Sequence, residues 1–235
     1  MNPNEAIILA GGMGTRLKSI VSDLPKPMAP IDDKPFLEYM LSVLSAANIT
    51  HVVLSVGYKY ETIKAYFGDR FAGMKITYAV ENEPLGTGGA IRYALSFIDG
   101  NESLLLNGDT FFNINLKDLR EFYFAHKPDI AMSVRLMYDF SRYGTVELSV
   151  SNVTGFISKQ PVKQGYINGG VYMIKKNIFE KYTLPEKFSF EIDFLEKYVS
   201  ELKICAMKST DYFIDIGIPE DYKKARTELP GLLKS

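Results

Sequence analysis

The first half of the chain alternates short apolar runs with stretches of helical periodicity. Four runs rich in aliphatic residues indicate buried strands: AIILA (6–10), VVLSV (52–56), ITYAV (76–80) and SLLLN (103–107). Between them, PFLEYMLSVLSAAN and TGGAIRYALSFI place apolar side chains three and four residues apart, as an amphipathic helix does. This alternation predicts an α/β fold with a mostly parallel sheet that is covered by helices on both faces.

The pattern changes after about residue 130. The runs IAMSVRL, GTVELSV, GFIS and YINGGVYMI follow one another with turn signals between them and little room for helices. They predict a small antiparallel β insertion or extension. A helix in SFEIDFLEKYVS, a strand in YFIDIG and a helix that starts at the proline of PEDYKKART complete the expected elements.

Composition excludes several classes of protein. The 235 residues carry a formal net charge of −1 without a long basic run, so neither nucleic acid nor a membrane surface is an expected partner. No apolar stretch approaches the roughly 20 residues that a membrane helix needs, and the N-terminus does not resemble a secretory signal. One cysteine, Cys205, and two histidines offer no disulfide and no zinc-type ligand set. We expect a single cytoplasmic domain over 1–235.

The segment LAGGMGTRL (9–17) directly follows the first predicted strand. Gly11, Gly12 and Gly14 leave backbone amides bare at the carboxyl edge of a parallel sheet, where such amides can hold phosphate oxygens. Neither a P-loop nor a dinucleotide fingerprint fits, because Leu17 stands where each pattern needs another residue. A tight strand-to-helix turn without a ligand is the alternative.

Three charged residues are further candidates for binding phosphate or metal. Lys26 lies between two prolines, which favour extended backbone and reduce the entropy that an anion-binding lysine would lose. Asp109 follows an apolar strand at the same predicted edge as the glycine loop, and Asp215 stands within the apolar YFIDIG. A buried carboxylate must be protonated, paired or bound to a cation, and Mg²⁺ takes such oxygen ligands. The alternatives are an exposed loop lysine, a turn-forming Asp109 and an ion pair of Asp215 with an arginine.

Six motifs occur in a characteristic order: LAGGMGTRL, PKPMAPI, EPLGTGGA, NGD, NGGVY and DIGIPEDY. Together they resemble the sugar-1-phosphate nucleotidyltransferases over essentially the whole chain. The resemblance implies a Rossmann-like fold of the nucleotide-diphospho-sugar transferase type, with a mainly nucleotide-binding half over 1–130 and a mainly sugar-phosphate-binding half over 131–235. Within this family, the short length and the ENEPLGTGGA segment are most similar to the D-glycero-α-D-manno-heptose 1-phosphate guanylyltransferases.

The resemblance also implies a reaction and the residues that carry it. A nucleotidyl group would pass from a nucleoside triphosphate, with GTP favoured, to a sugar 1-phosphate, giving pyrophosphate and an NDP-sugar for surface polysaccharide synthesis. Catalysis would involve Arg16, Lys26, Asp109 and Asp215, and the two aspartates would hold Mg²⁺. The nucleotide would contact Leu9, Gly11, Gly12, Gly14, Thr15, Arg16, Glu81, Gly86, Thr87 and Gly108. The sugar phosphate would contact Gly144, Lys159, Asn168 and Glu191.

Two positions bear on specificity. The resemblance implies that Glu81 and the backbone at Gly86 face the edge of the nucleobase. A carboxylate only accepts hydrogen bonds, and guanine offers adjacent N1 and N2 donors where uracil offers one, so Glu81 at this place favours guanine, with backbone carbonyls as the alternative acceptors. Ser158 and Gln160 flank Lys159 where the family usually has Glu-Lys-Pro, which indicates an atypical sugar. A solvated position is the alternative for Glu81 and, on an amphipathic helix, for Glu191.

Three questions stay open at the level of sequence. A uridylyl- or cytidylyltransferase that acts on another sugar 1-phosphate is one alternative function, and a non-catalytic nucleotide-sugar sensor is another. The exact sugar is not specified by the residues. The oligomeric state, including a homo-oligomer, is not specified either.

Overall fold

The protein is built around one large sheet with helices on both faces. The structure, a computed structural model, describes residues 4–12 and 24–232. Its strands are β1 (Glu5–Leu9), β2 (Pro30–Ile31), β3 (Lys34–Pro35), β4 (His51–Val56), β5 (Arg70–Phe71), β6 (Met74–Val80), β7 (Glu102–Asn107), β8 (Thr110–Phe112), β9 (Ile130–Phe140), β10 (Thr145–Ser149), β11 (Asn152–Ile157), β12 (Val162–Lys175), β13 (Ile204–Ser209) and β14 (Phe213–Asp215). Its α-helices are α1 (Phe36–Ala46), α2 (Tyr60–Phe67), α3 (Gly86–Leu95), α4 (Leu116–His126) and α5 (Pro219–Leu232).

In the described part of the chain, ten strands form the large sheet in the order β10-β11-β13-β9-β12-β7-β1-β4-β6-β5. The neighbours β7, β1, β4 and β6 are parallel, as predicted. β12 pairs antiparallel with β7 and β9, and β13 runs parallel to β9. The predicted antiparallel segment therefore exists, but it continues the main sheet. Two small sheets, β8 with β14 and β2 with β3, lie outside it.

Alternate side chains of β1 belong to two different cores. Ala6 and Ile8 pack in the core that includes residues of α1, α4 and α5, whereas Ile7 packs in the core that includes residues of α3. Successive side chains of a strand point to opposite faces, so a strand buried on both faces needs an unbroken apolar run. Burial of β1 on both faces explains its unbroken apolar sequence AIIL. The helices on the two faces of the sheet confirm the predicted α/β fold. Within the described residues, no helix is long and apolar enough to cross a membrane.

Two elements differ from what the sequence suggests. The expected helix in SFEIDFLEKYVS is a π-helix at Phe190–Glu196, in which the fully buried rings of Phe190 and Phe194 stack at 5.9 Å. β13 is not apparent in the sequence, because ICAMKS follows EKYVSELK without a glycine or proline to mark a boundary. It nevertheless fills the place between β9 and β11.

Glu5 and His51 form a buried polar pair at the amino ends of β1 and β4. His51 Nδ1 lies 2.7 Å from Glu5 Oε1, and His51 Nε2 lies 2.9 Å from Thr77 Oγ1. The Glu5 carboxylate also accepts the backbone N–H groups of Asp99 at 3.2 Å and Gly100 at 2.6 Å. Potential ligand atoms of Glu5, His51 and Asp99 lie within 4.8 Å of one another. The expectation that no zinc-type ligand set could be assembled did not consider this group of potential ligands, although hydrogen bonds within the protein already use the Glu5 carboxylate.

We expect Glu5→Gln to destabilise the protein at neutral pH by about 1–3 kcal/mol and to have less effect in acid. Burial raises the pKa of Glu5, but hydrogen bonds from Gly100, His51 and Asp99 outweigh burial and hold the pKa below its usual 4.5. A lowered pKa in the folded state contributes stability above the unfolded value, and this is lost as the pH falls through the folded value. Urea unfolding at pH 7 and below pH 4.5 measures both differences.

The matched control for Glu5→Gln is Glu121→Gln, because the Glu121 side chain is exposed on α4. We expect this control to unfold like the wild type at every pH. The free-energy difference between Glu5→Gln and the wild type should narrow as the pH falls below 4.5. A difference of constant size across the whole range would show that the Glu5 charge contributes nothing.

Candidate functional site

The carboxyl ends of β1, β4, β6 and β7 border a cavity of about 700 Å³. Ligands of open α/β sheets bind at this edge. The predicted site residues that line it are Leu9, Gly11, Gly12, Lys26, Glu81, Gly86, Thr87, Gly108, Asp109 and Glu191. Residues far apart in the chain thus surround one space.

A glycine allows the loops after β1 and β7 to meet at this edge. A Cβ atom on Gly108 would lie 2.2 Å from the backbone oxygen of Leu9, which Gly108 N–H reaches with a hydrogen bond of 3.0 Å. A larger residue at 108 would push the two loops apart. The contact between Gly108 and Leu9 therefore places Asp109 next to the start of the glycine loop.

Lys26 lies between two carboxylates. Its Nζ is 2.6 Å from Asp109 Oδ2 and 4.0 Å from Asp215 Oδ1. The lysine side chain is only 12% exposed, so the alternative of an exposed loop lysine does not hold. The expectation of extended backbone here is wrong, because Lys26–Met28 forms a 3-10 turn. Proline φ values near −65° fit such a turn as well as an extended chain.

Asp109 and Asp215 are brought together by the pairing of β8 with β14, in which Thr110 lies opposite Asp215. Burial and the negative charge of Asp109 raise the pKa of Asp215, while Lys26 and the N–H of Gly217 act in the opposite direction. Gly217 N–H donates to Asp215 Oδ1 at 2.7 Å. Two neighbouring carboxylates, one of them largely buried, are a set of hard oxygen donors that a divalent cation would stabilise. The residues therefore fit a site for such a cation.

Glu81 is fixed in the wall of the cavity and is not a solvated strand end. Ser55 Oγ donates to its Oε1 at 3.1 Å, and the backbone N–H of Leu85 donates to its Oε2 at 3.1 Å. A carboxylate oxygen has about two acceptor positions, so the hydrogen bonds from described residues leave one on each oxygen. Glu81 can therefore accept hydrogen bonds from a ligand without moving.

The start of α3 is packed against the segment that leads into the π-helix. Gly86 has a φ of +71°, and a Cβ there would lie 2.5 Å from the carbonyl oxygen of Phe188. Thr87 Oγ1 donates to Glu191 Oε2 at 2.8 Å and accepts the N–H of Phe190 at 2.8 Å. Glu191 is half-buried at the cavity, so the solvent-facing alternative for this residue does not hold.

Asn168 and Glu191 approach the same buried phenol. Asn168 Nδ2 donates to the hydroxyl of Tyr172 at 2.6 Å, and Asn168 Oδ1 accepts the N–H of Gly170 at 3.0 Å. Burial and the charge of Glu191 raise the pKa of Tyr172 well above its ordinary value. These contacts relate two of the predicted sugar-binding residues to one phenol, and of the two only Glu191 lines the cavity.

The remaining predicted residues are not brought to the cavity wall. Gly144 precedes β10 and packs against the backbone oxygen of Ile157, and Lys159 is exposed beyond the end of β11. Of the described residues that line the cavity, none is Gly144, Lys159, Asn168 or Asp215, although Asp215 lies beside Lys26. The predictions for Gly14, Thr15 and Arg16 fall outside the described residues.

Eight residues that line the cavity are absent from the predicted site residues: Pro27, Ser55, Gly57, Tyr58, Asn82, Pro84, Ala90 and Asn107. Ser55 and Gly57 lie at the carboxyl end of β4, in the sequence VVLSVGY. The glycines after the apolar strand β1 correctly indicated a loop at the ligand-binding edge of the sheet. Gly57 after the apolar strand β4 is the same signal, and it would have indicated this second loop.

Comparison with known proteins places these features in a wider group. The chain matches the family model described as Nucleotidyl transferase over residues 5–230. It is 53% identical over 219 residues to the D-glycero-alpha-D-manno-heptose 1-phosphate guanylyltransferase of Campylobacter jejuni, which covers 93% of this chain and 96% of that protein. It is 51% identical over 225 residues to the protein of the same name from Aneurinibacillus thermoaerophilus, with coverage of 96% and 98%.

Solved structures agree with these sequence matches. HddC from Yersinia pseudotuberculosis is 38% identical to this chain and superposes with a TM-score of 0.86, covering 95% of this chain and 98% of that one. A second structure of HddC, complexed with GMP-PN, has the same identity and coverage and a TM-score of 0.84.

Proposed function

The chain belongs to the nucleotidyl transferase family, and from this premise we propose that it transfers the guanylyl group of GTP to D-glycero-α-D-manno-heptose 1-phosphate. The products are GDP-heptose and pyrophosphate. The observation that carries the proposal is the identity of 51% and 53% to two heptose 1-phosphate guanylyltransferases over more than nine-tenths of the chain. The cavity supports it, because bare backbone, a fixed carboxylate and a lysine with two aspartates border one space.

The proposed reaction needs no general base. A phosphate monoester has its second pKa near about 6, so the sugar phosphate is already an anionic nucleophile at neutral pH. One of its oxygens forms a bond to the α phosphorus of GTP. The bond from this phosphorus to the oxygen that bridges to the β phosphate breaks, and its electron pair leaves with pyrophosphate. The task of the protein is to bring two polyanions together and align them.

The charged residues of the cavity suit this task. Asp109 and Asp215 would hold Mg²⁺, and the ion would supply positive charge that stabilises the transition state at the α phosphate. Lys26 would exchange its contact with Asp109 for one with the nucleotide phosphates, and Arg16 would add a second cation. Gly108 has no side chain, so the loops after β1 and β7 stay in contact at this edge and their backbone stays accessible to the phosphates.

We assign the two substrates to the two parts of the chain. The nucleotide would lie mainly against residues 1–130, with the base at Glu81, and the sugar phosphate mainly against residues 131–235. Glu191 supports this assignment because it lines the cavity, and Asn168 supports it because it contacts Tyr172, the phenol whose pKa the Glu191 charge raises. Gly144 and Lys159 would meet the sugar phosphate from the β10–β11 side. A cytoplasmic location remains a prediction.

Release of pyrophosphate tests the proposed function. The protein is mixed with Mg²⁺, one of GTP, UTP or CTP, and one of the 1-phosphates of D-glycero-α-D-manno-heptose, mannose or glucose. We expect the highest kcat/KM with GTP and the heptose. A higher value with another pair would assign that specificity, and no release with any pair would favour a nucleotide-sugar sensor.

We expect Glu81→Gln to reduce the preference for GTP over UTP about tenfold. The substitution replaces one acceptor oxygen by a donor, so one of the two guanine donors loses its partner at a cost of about 1.4 kcal/mol. The measurement is kcat/KM for both nucleotides at one sugar phosphate concentration. Glu83→Gln, at an exposed position two residues away, is the matched control. An unchanged preference in Glu81→Gln would remove this residue from base recognition.

A further inference from the structure

The hydroxyl group of Thr87 has most of its hydrogen-bonding capacity in use. It donates its single proton to Glu191 Oε2 at 2.8 Å and accepts the N–H of Phe190 at 2.8 Å. A hydroxyl has one donor and two acceptor positions. The phosphate oxygens of a nucleotide only accept hydrogen bonds, so Thr87 could donate to them only by releasing Glu191.

Glu191 lines the cavity and is held by the protein through one of its two oxygens. The hydroxyls of Thr87 and Ser189 both reach Oε2, at 2.8 and 3.3 Å. No hydrogen bond from the residues that the structure describes reaches Oε1. A carboxylate that is held through one oxygen can accept a sugar hydroxyl with the other in a fixed orientation.

The surrounding backbone uses the threonine hydroxyl only as the acceptor for the N–H of Phe190. Two backbone hydrogen bonds, of 3.0 and 2.9 Å, join residues 85–88 to Phe188. Arg92 donates to the carbonyls of residues 185 and 186 at 2.9 and 3.0 Å, and its guanidinium lies 5.1 Å from the centroid of the Phe188 ring. The helix and the segment before the π-helix are thus fixed to one another independently, and loss of the hydroxyl would act mainly on the carboxylate.

We propose that Thr87 is a positioning residue for the sugar 1-phosphate, which acts by orienting Glu191. The inference rests on the proposed function for the identity of the substrate. It moves Thr87 from the nucleotide-binding set, where the family resemblance places it, to the sugar side. α3 then serves both substrates, because the N–H of Leu85 just before it also holds Glu81.

Two substitutions separate the hydroxyl from the shape of the side chain. Thr87→Val removes the hydroxyl at nearly constant volume, and Thr87→Ser keeps it. We expect Thr87→Val to raise the KM for the sugar 1-phosphate about tenfold, as the loss of a hydrogen bond to a charged group does, and to leave the KM for GTP within twofold. Thr87→Ser should stay close to the wild type. A raised KM for GTP with an unchanged KM for the sugar would overturn the proposal.

A control and a second measurement keep the outcome interpretable. Thr227→Val makes the same change at an exposed position of α5, and both KM values should stay at their wild-type levels. A crystal structure of Thr87→Val should show the Glu191 carboxylate displaced, and an unmoved carboxylate would overturn the proposal. If the wild type releases no pyrophosphate with any substrate pair, the proposed function fails, while this crystal structure still decides the role of Thr87.

Discussion

Replacement of Asp109 by asparagine is expected to lower kcat by a hundredfold to a thousandfold without unfolding the protein. Asparagine keeps the shape of the side chain but removes the negative charge that would hold a divalent cation and that faces Lys26 at 2.6 Å. Preorganised electrostatic contacts of this kind contribute about 3 to 4 kcal/mol to transition-state stabilisation in other enzymes. Pyrophosphate release at saturating GTP, sugar phosphate and Mg²⁺ measures kcat, and thermal unfolding reports on the fold.

The matched control for Asp109→Asn is Asp118→Asn. Asp118 lies exposed in the first turn of α4, where loss of its charge should cost only a few tenths of a kcal/mol in helix stability. We expect its turnover to equal that of the wild type. Near-wild-type turnover of Asp109→Asn would remove Asp109 from the mechanism.

Lys26→Met is expected to lower kcat about a hundredfold and to make thermal stability depend more strongly on Mg²⁺. Without the ammonium group, Asp109 and Asp215 lose the cation that lies within 4.0 Å of both, which is unfavourable for two partly buried carboxylates. A divalent cation would then replace the missing charge, and binding to the folded state alone raises Tm with its concentration. Tm is measured over a series of Mg²⁺ concentrations at neutral pH.

The matched control for Lys26→Met is Lys34→Met. Lys34 pairs with Glu38 on the surface, with half of its side chain exposed, and such pairs contribute between zero and about 1 kcal/mol. Its kcat and its response to Mg²⁺ should match the wild type. If Mg²⁺ raises Tm of Lys26→Met and the wild type equally, the lysine does not neutralise the two aspartates.

The strands that carry the cavity could be predicted from sequence because they are buried on both faces. The runs AIILA and SLLLN show no alternation of apolar and polar residues. To within one residue, the first coincides with β1 and the second with β7. Parallel pairing then places every strand end at one edge, so the glycine loop and Asp109 could be expected to be neighbours. These conclusions need only local composition and the geometry of parallel sheets.

Contacts between distant segments could not be predicted in the same way. Thr87 and Glu191 are 104 residues apart, and nothing local in either segment records that their side chains meet. The turn at Lys26 was missed for a different reason, since proline restricts φ without deciding between a 3-10 turn and an extended chain. β13 lacks boundary residues, and only the neighbouring strands define its place.

β12 has a mechanical consequence for the whole molecule. Its 14 residues pair with β7 on one side and with β9 on the other, so one strand holds both parts of the chain in a single sheet. A hinge between the parts would have to break this ladder of hydrogen bonds. The substrates therefore bind at a sheet that continues through both parts of the chain, and we expect closure over them to come from loops and single side chains and not from rotation of one part against the other. Sugar preference could then differ between relatives through changes in those loops and side chains, while the sheet itself is retained.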